Sequence, residues 1–267
     1  MQKILSHVRR ACQEFDLIKS GDKIAVGVSG GKDSLVLLSA LAQMRQFRKD
    51  GVPLYDYELQ GITLDPRFFG KDGDFSPVAR FCEALEVPHT LIRTDLYEIV
   101  FDIRKEKNPC SLCAKMRRGA LHDATVAAGC NKIALAHSFD DVIETFIMNL
   151  FKEGRIGCFA PMSYLSRKDI TLIRPLVLTP EHMIISTASA NNFEIVKSPC
   201  PIDKSTERAR TKEFLAAREK DDKGFKLRMF TALRKSGVDG WGAKQERCPA
   251  GRALPDRRDE LDGGNKL

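Results

Sequence analysis

The sequence predicts an α/β fold, a parallel sheet followed by a helical extension. Three observations carry the prediction. Apolar, β-rich runs recur between Ile24 and Leu176, helical periodicity fills the stretches between them, and strand signals vanish from Lys204 onward.

The strands are expected at Ile24–Ser29, Glu58–Leu64, His89–Arg93, Lys132–His137 and Thr171–Leu176. After the first of these, Leu37, Leu38, Leu41 and Met44 fall at helical spacing, so the small-residue turn SGGKDS, Ser29 to Ser34, joins a buried strand to a helix start. Further helices are expected from Leu112 to Ala128, closed by Gly129, and from Asp140 to Phe151, ending near Gly154. In the extension, Phe214 and Leu215, then Leu227, Phe230 and Leu233, supply the apolar positions of basic helices. Beyond Gly242 the chain is rich in Pro, Gly and charge and has no period, which predicts a flexible tail. The expected organisation is a main α/β domain over 1–203, a basic helical extension over 204–242 and a tail over 243–267.

Composition excludes several classes. With 267 residues, 43% hydrophobic and 30% charged, the chain can bury a sizeable core and is neither disordered nor fibrous in type. No uninterrupted apolar run approaches the roughly 20 residues of a membrane span, and MQKILSHVRRACQEF lacks a signal-peptide core. A cytoplasmic protein without membrane contact is expected. The net charge of +7 is concentrated in Lys204–Lys235, where 11 Lys or Arg face 5 Asp or Glu. Such a segment suits an anionic partner such as RNA, or forms a solvated helix face.

SGGKDS fails as a Walker A loop, because Val26 stands where the first glycine is needed and Asp33, not Ser or Thr, follows Lys32. What remains is an anion site: amides of a tight turn at a helix N-terminus, with Gly30 and Gly31 allowing close approach, Ser29 and Ser34 adding hydroxyls, and Lys32 a charge. Asp33 is unfavourable beside phosphate unless a cation such as Mg²⁺ bridges them. A simple N-cap would need only one of these six residues. At Cys110 and Cys113 a C-x-x-C opens a helix, and Cys200 stands in SPCP 87 positions later. Two thiols plus a distant third suit an iron–sulfur cluster; zinc would want a fourth ligand, and a thioredoxin-like redox pair is a further reading. Cys12, Cys82, Cys130 and Cys158 sit among apolar neighbours and are expected in the core.

SGGKDS resembles the pyrophosphatase loop of the adenine-nucleotide α-hydrolases, whose Rossmann-like parallel sheet binds ATP for cleavage between the α and β phosphates. Together with PCSLCAKMRRG, the later SPC, KIALAHSFDD (Lys132–Asp141) and LIRPL (Leu172–Leu176), it makes the chain from about Lys3 to Leu215 resemble the tRNA 2-thiocytidine synthetase family. The resemblance implies a 4Fe–4S cluster on Cys110, Cys113 and Cys200, with ATP and Mg²⁺ at Ser29–Ser34. It also implies a tRNA substrate whose cytidine O2 is adenylated and replaced by sulfur, a cysteine desulfurase as sulfur donor, and a homodimer. Lys32, Asp33 and Asp141 are the expected catalytic residues, and Asp65 and His137 are expected beside the nucleotide. One departure stands out: Asp203 of CPID occupies the place of a second cysteine in familiar members, so another base or a small molecule is an alternative substrate. A non-catalytic metal or iron–sulfur RNA-binding protein is the alternative from a different class. It leaves Lys32 and Asp33 without a role.

Overall fold

The computed structural model describes residues 1–105, 109–197, 199–200 and 207–242. Both Asp203 and the segment expected to be a tail lie outside them. The chain runs α1 (Gln2–Phe15), β1 (Asp22–Gly27), α2 (Lys32–Met44), a small hairpin of β2 (Arg48–Lys49) and β3 (Val52–Pro53), and β4 (Tyr57–Asp65). Then follow α3 (Ser76–Ala84), β5 (His89–Arg93), α4 (Pro109–Ala127), β6 (Lys132–Ala134), α5 (Phe139–Lys152), β7 (Met162–Leu165), β8 (Ile170–Ile173), α6 (Glu181–Ala190), α7 (Glu207–Asp221) and α8 (Phe225–Ser236).

The main sheet has the order β5-β4-β1-β6-β8-β7. Every pairing is parallel except β7 with β8. Ile24, Ala25 and Val26 of β1 are all buried, as a strand covered on both faces requires. From β1 the chain goes to β4 on one side and later to β6 on the other, so strand order reverses at β1. Open α/β sheets bind ligands at that switch point, outside the carboxyl ends of the strands. Here those ends carry SGGKDS after β1 and His137–Asp141 after β6.

Two predicted strands stop early. β6 ends at Ala134, not His137, although the Leu135 amide still donates to Ile173 O at 3.0 Å. β8 ends at Ile173, not Leu176, because Pro175 has no N–H to continue a ladder and the next residues turn, with the Thr179 amide donating to Leu176 O at 2.8 Å. The extension shares the main core. Leu215, Phe230, Leu233 and Trp241 are buried with Ile4, Val8 and Leu17, and the Trp241 ring lies 5.7 Å from Phe15 and 5.4 Å from Phe230.

Candidate active site

The turn between β1 and α2 is built as an anion nest. Gly30 adopts φ +80, and Gly31, extended at φ −76 and ψ 157, is the N-cap of α2. Ser34 Oγ donates to Gly31 O at 2.8 Å, and Ser29 Oγ lies 3.3 Å from Ser34 Oγ, so the two hydroxyls stand together at the open helix end. The N-cap makes no side-chain hydrogen bond, leaving the first-turn amides of α2 directed at the space above the loop.

Lys32 lies between two carboxylates, with Nζ 2.9 Å from Asp33 Oδ2 and 3.0 Å from Glu181 Oε1. Burial alone would lower the Lys32 pKa, but those two acids outweigh it and hold the ammonium above its ordinary value. Asp33 moves up, because desolvation and the Asp141 and Glu181 charges exceed the pull of Lys32. Glu181 opens α6 and is shared with α7, since Lys212 Nζ stands 2.6 Å from Glu181 Oε2. Its pKa falls despite burial, because both ammonium groups bond it.

The acids after β6 have distinct jobs. Asp141 closes a capping box: its Oδ2 accepts from the Ser138 amide and hydroxyl, both at 2.8 Å, while the Asp141 amide donates to Ser138 Oγ. Its other oxygen faces Arg208 of α7, with Nη1 2.8 Å away. Asp140 accepts from the Glu181 amide at 2.7 Å and pairs with Lys226 Nζ of α8 at 2.7 Å. Loop, α5, α6, α7 and α8 are thereby tied into one charged constellation at the switch point. His137 stacks on Phe159, and its Nδ1 accepts from Arg174 Nε at 3.1 Å. Burial and that guanidinium lower its pKa, so the ring is neutral with its proton on Nε2.

Asp65 is 2% exposed, and both of its oxygens are used by a loop: Oδ1 accepts from the Arg67 amide at 2.9 Å and Oδ2 from the Gly73 amide at 2.8 Å. Its place is at the carboxyl edge, one strand from β1, where it shapes the 66–73 loop.

Cys110 and Cys113 lie on the first turn of α4, three residues apart and so on one face, exposed and half-buried respectively. As a crossover helix between parallel strands, α4 starts at the carboxyl edge of the sheet, the edge that carries SGGKDS. The segment leading to Cys200 passes the same loop, with the Val196 amide donating to Gly30 O at 3.0 Å. Among the described residues no three His, Cys, Asp or Glu side chains are gathered into a metal-binding group, and no disulfide joins any two cysteines. The set fits an iron–sulfur group in chemistry and edge: three sulfur donors, outside the core, on the side of the sheet that holds the nucleotide loop. Cys12, Cys82, Cys130 and Cys158 are buried, and burial pushes their thiols up, to about 12 for Cys12 and Cys158. They stay protonated and packed.

Comparison with known proteins bears on this edge directly. A family model described as a PP-loop domain matches residues 3–219. The tRNA-cytidine(32) 2-sulfurtransferase of Geobacter sulfurreducens is 37% identical over 235 residues, covering 87% of this chain and 89% of that protein. The chain belongs to the tRNA-cytidine(32) 2-sulfurtransferase family of PP-loop proteins. The Geobacter metallireducens 2-sulfurtransferase is 36% identical over a similar span. Among solved structures, the U34-tRNA thiolase NcsA from Methanococcus maripaludis with its 4Fe–4S cluster superposes with a TM-score of 0.69 at 25% identity, covering 87% of this chain and 78% of that one.

Within this 2-sulfurtransferase family fold, Ser29, Gly30, Gly31, Lys32, Asp33 and Ser34 follow β1 and His137 and Asp141 follow β6 at the same carboxyl edge, where the Asp141 charge acts on Asp33. Sequence reasoning missed Glu181, Lys212, Lys226 and Arg208. The basic composition of 204–235 was the signal for the last three, but it pointed outward to RNA. Asp140 was legible beside Asp141 as an acid of a first helical turn, whereas Glu181 carries no local pattern.

Proposed function

We propose that the protein uses ATP to activate the C2 carbonyl of a cytidine in the tRNA anticodon loop and replaces its oxygen with sulfur. The observation that supports this reading is the SGGKDS nest at the carboxyl end of β1 in a member of the 2-sulfurtransferase family, with Cys110 and Cys113 at the start of α4 and the segment before Cys200 bonded to the nest through Val196. ATP phosphates bind the first-turn amides of α2 with Ser29, Ser34 and Lys32. Asp33 would hold Mg²⁺ on the nucleotide with Lys32 turned to phosphate, and it fits this role because Lys32 is its cationic contact among the described residues. Lys32 and the loop amides offset charge as cytidine O2 bonds to the α-phosphorus and the bond to pyrophosphate breaks. Sulfur then adds at C2, the C2–O bond breaks, and AMP leaves with the original oxygen. Cys110, Cys113 and Cys200 would hold a 4Fe–4S cluster as thiolates, and the cluster would supply iron to carry the sulfur as sulfide. Glu181 keeps Lys32 in the loop before nucleotide arrives, and Asp141, fixed by its capping box and Arg208, holds the carboxyl edge of the crevice. A cysteine desulfurase as donor, a homodimer and a cytoplasmic setting rest on the family resemblance; among the described residues no helix is long and apolar enough to cross a membrane.

The test is nucleoside mass analysis of bulk tRNA with and without the gene. Loss of 2-thiocytidine on deletion, restored by wild type but not by Lys32→Ala or Cys200→Ala, is expected. An unchanged nucleoside profile on deletion refutes the tRNA reading.

A further inference from the structure

Beside the crevice stands a surface that the adenylation and sulfur steps do not use. The loop after β4 forms a 3-10 turn, Phe68–Gly70, and the chain after β5 forms a wide π-helical turn, Glu98–Ile103, packed on that turn and on α4. Tyr97 and Phe101 stack at 4.9 Å with 21° between their planes. Phe69 lies 4.9 Å and Phe68 5.7 Å from the Tyr97 ring. Phe69 is 55% exposed and left-handed at φ 57, ψ 31, a conformation that costs a bulky residue about 1 kcal/mol or more.

Charge separates this surface from the extension. Around the aromatics the ionic groups neutralise one another: Asp72 takes Arg93 at 2.8 Å and Arg67 at 3.2 Å, and Arg67 also meets Asp95 at 3.1 Å. On α4, which packs against the Glu98–Ile103 turn, Lys115, Arg117 and Arg118 are exposed and make no ion pair among the described residues. In the extension, by contrast, Arg208, Lys212 and Lys226 point into the crevice acids. One exposed ring, Phe69, backed by half-buried aromatics on a locally neutral platform and flanked by open cations, matches an unpaired nucleobase and its backbone phosphates.

Resting on the tRNA reading above, we infer that Phe69, backed by Tyr97, forms a stacking platform for an unstacked base of the anticodon loop, with Lys115 and Arg118, three residues apart on one face of α4, holding the adjoining phosphates. The platform grips the loop where Cys110 and Cys113 open α4. Asp65 serves it by pinning the 66–73 loop.

The experiment measures binding of a synthetic anticodon stem-loop RNA by fluorescence anisotropy across a salt series. Phe69→Ala is expected to weaken binding about tenfold, within the range for loss of one base–aromatic stack, with the salt slope and ATP affinity unchanged. Phe69→Trp restores it, and Tyr97→Leu weakens it similarly. Arg118→Ala lowers the salt slope by about one. Phe69 is exposed, so its variants fold; melting curves verify this. Wild-type affinity in Phe69→Ala, from a protein that thiolates tRNA, overturns the platform alone. A wild-type protein that binds no tRNA overturns the platform and the tRNA reading together.

Discussion

Gly30→Ala probes the coupling between the nucleotide loop and the cysteine segment. At φ +80 an alanine is strained by about 1–2 kcal/mol. Its Cβ would also stand 2.7 Å from Val196 Cβ and 3.2 Å from Val78 Cγ2, where the backbone gives little room. Overpacking of this kind costs about 1–3 kcal/mol, so the expected loss is roughly 2–5 kcal/mol. At ~2–4 °C per kcal/mol for a domain of this size, the melting temperature drops by about 4–20 °C. The assay is a double-mutant cycle by thermal unfolding with Val196→Ala. Val196→Ala removes the Cγ2 contact at 3.0 Å but keeps the closest one, to the Val196 Cβ, as well as the φ strain, so the double variant should recover only a minor part of the loss. Because Val196 N–H also bonds Gly30 O, Gly30→Ala should raise the KM for ATP as well. Strict additivity of the two substitutions, or a neutral Gly30→Ala, refutes the close approach.

Other outcomes follow from the same geometry. Burial and the Asp141 charge push Glu144 from 4.5 up to about 7, so the folded chain binds that proton more tightly than the unfolded chain and stability is lost as pH rises from near 4.5 to about 7. Glu144→Gln should therefore melt higher than wild type at pH 8, by on the order of 2 kcal/mol, with the gain gone at pH 4.5; a pH-independent difference counts against this. Asp22→Ala leaves the buried Lys132 ammonium, 2.7 Å away, without its partner, and should cost about 3–5 kcal/mol in denaturant unfolding. After anaerobic reconstitution, iron content should fall in Cys110→Ala, Cys113→Ala and Cys200→Ala but persist in Cys130→Ala; equal iron in all four removes the cluster from those thiols.

How far the sequence foretold this depended on the distance over which each interaction acts. β5 was readable to the residue, and the β1–turn–α2 unit was plain because a doubly buried strand, a glycine nest and a helix stripe are local patterns. The amphipathic α1, the antiparallel β7 and the β2–β3 hairpin went unread, since short or isolated elements lack the alternation that marked the others. The charged crevice was half legible. Lys32 and Asp33 are neighbours, but Glu181 reaches Lys32 across 149 positions, and no spacing rule announces such a pair. The basic segment was legible only as a sum, because composition counts charges without saying which way they face: Arg208, Lys212, Lys226 and Arg234 meet acids earlier in the chain.

The seat of Trp241 has a bearing on how the protein comes into being. Its ring closes against α1, and its indole N–H donates to Phe159 O at 2.9 Å, so residues from the first helix wait for partners more than two hundred positions later. Contacts of such separation form late and slowly, and a chain emerging from the ribosome holds α1 and the floor of the crevice uncovered until α8 has been made. Nascent chains shorter than this should bind chaperones and lack an ordered nucleotide site.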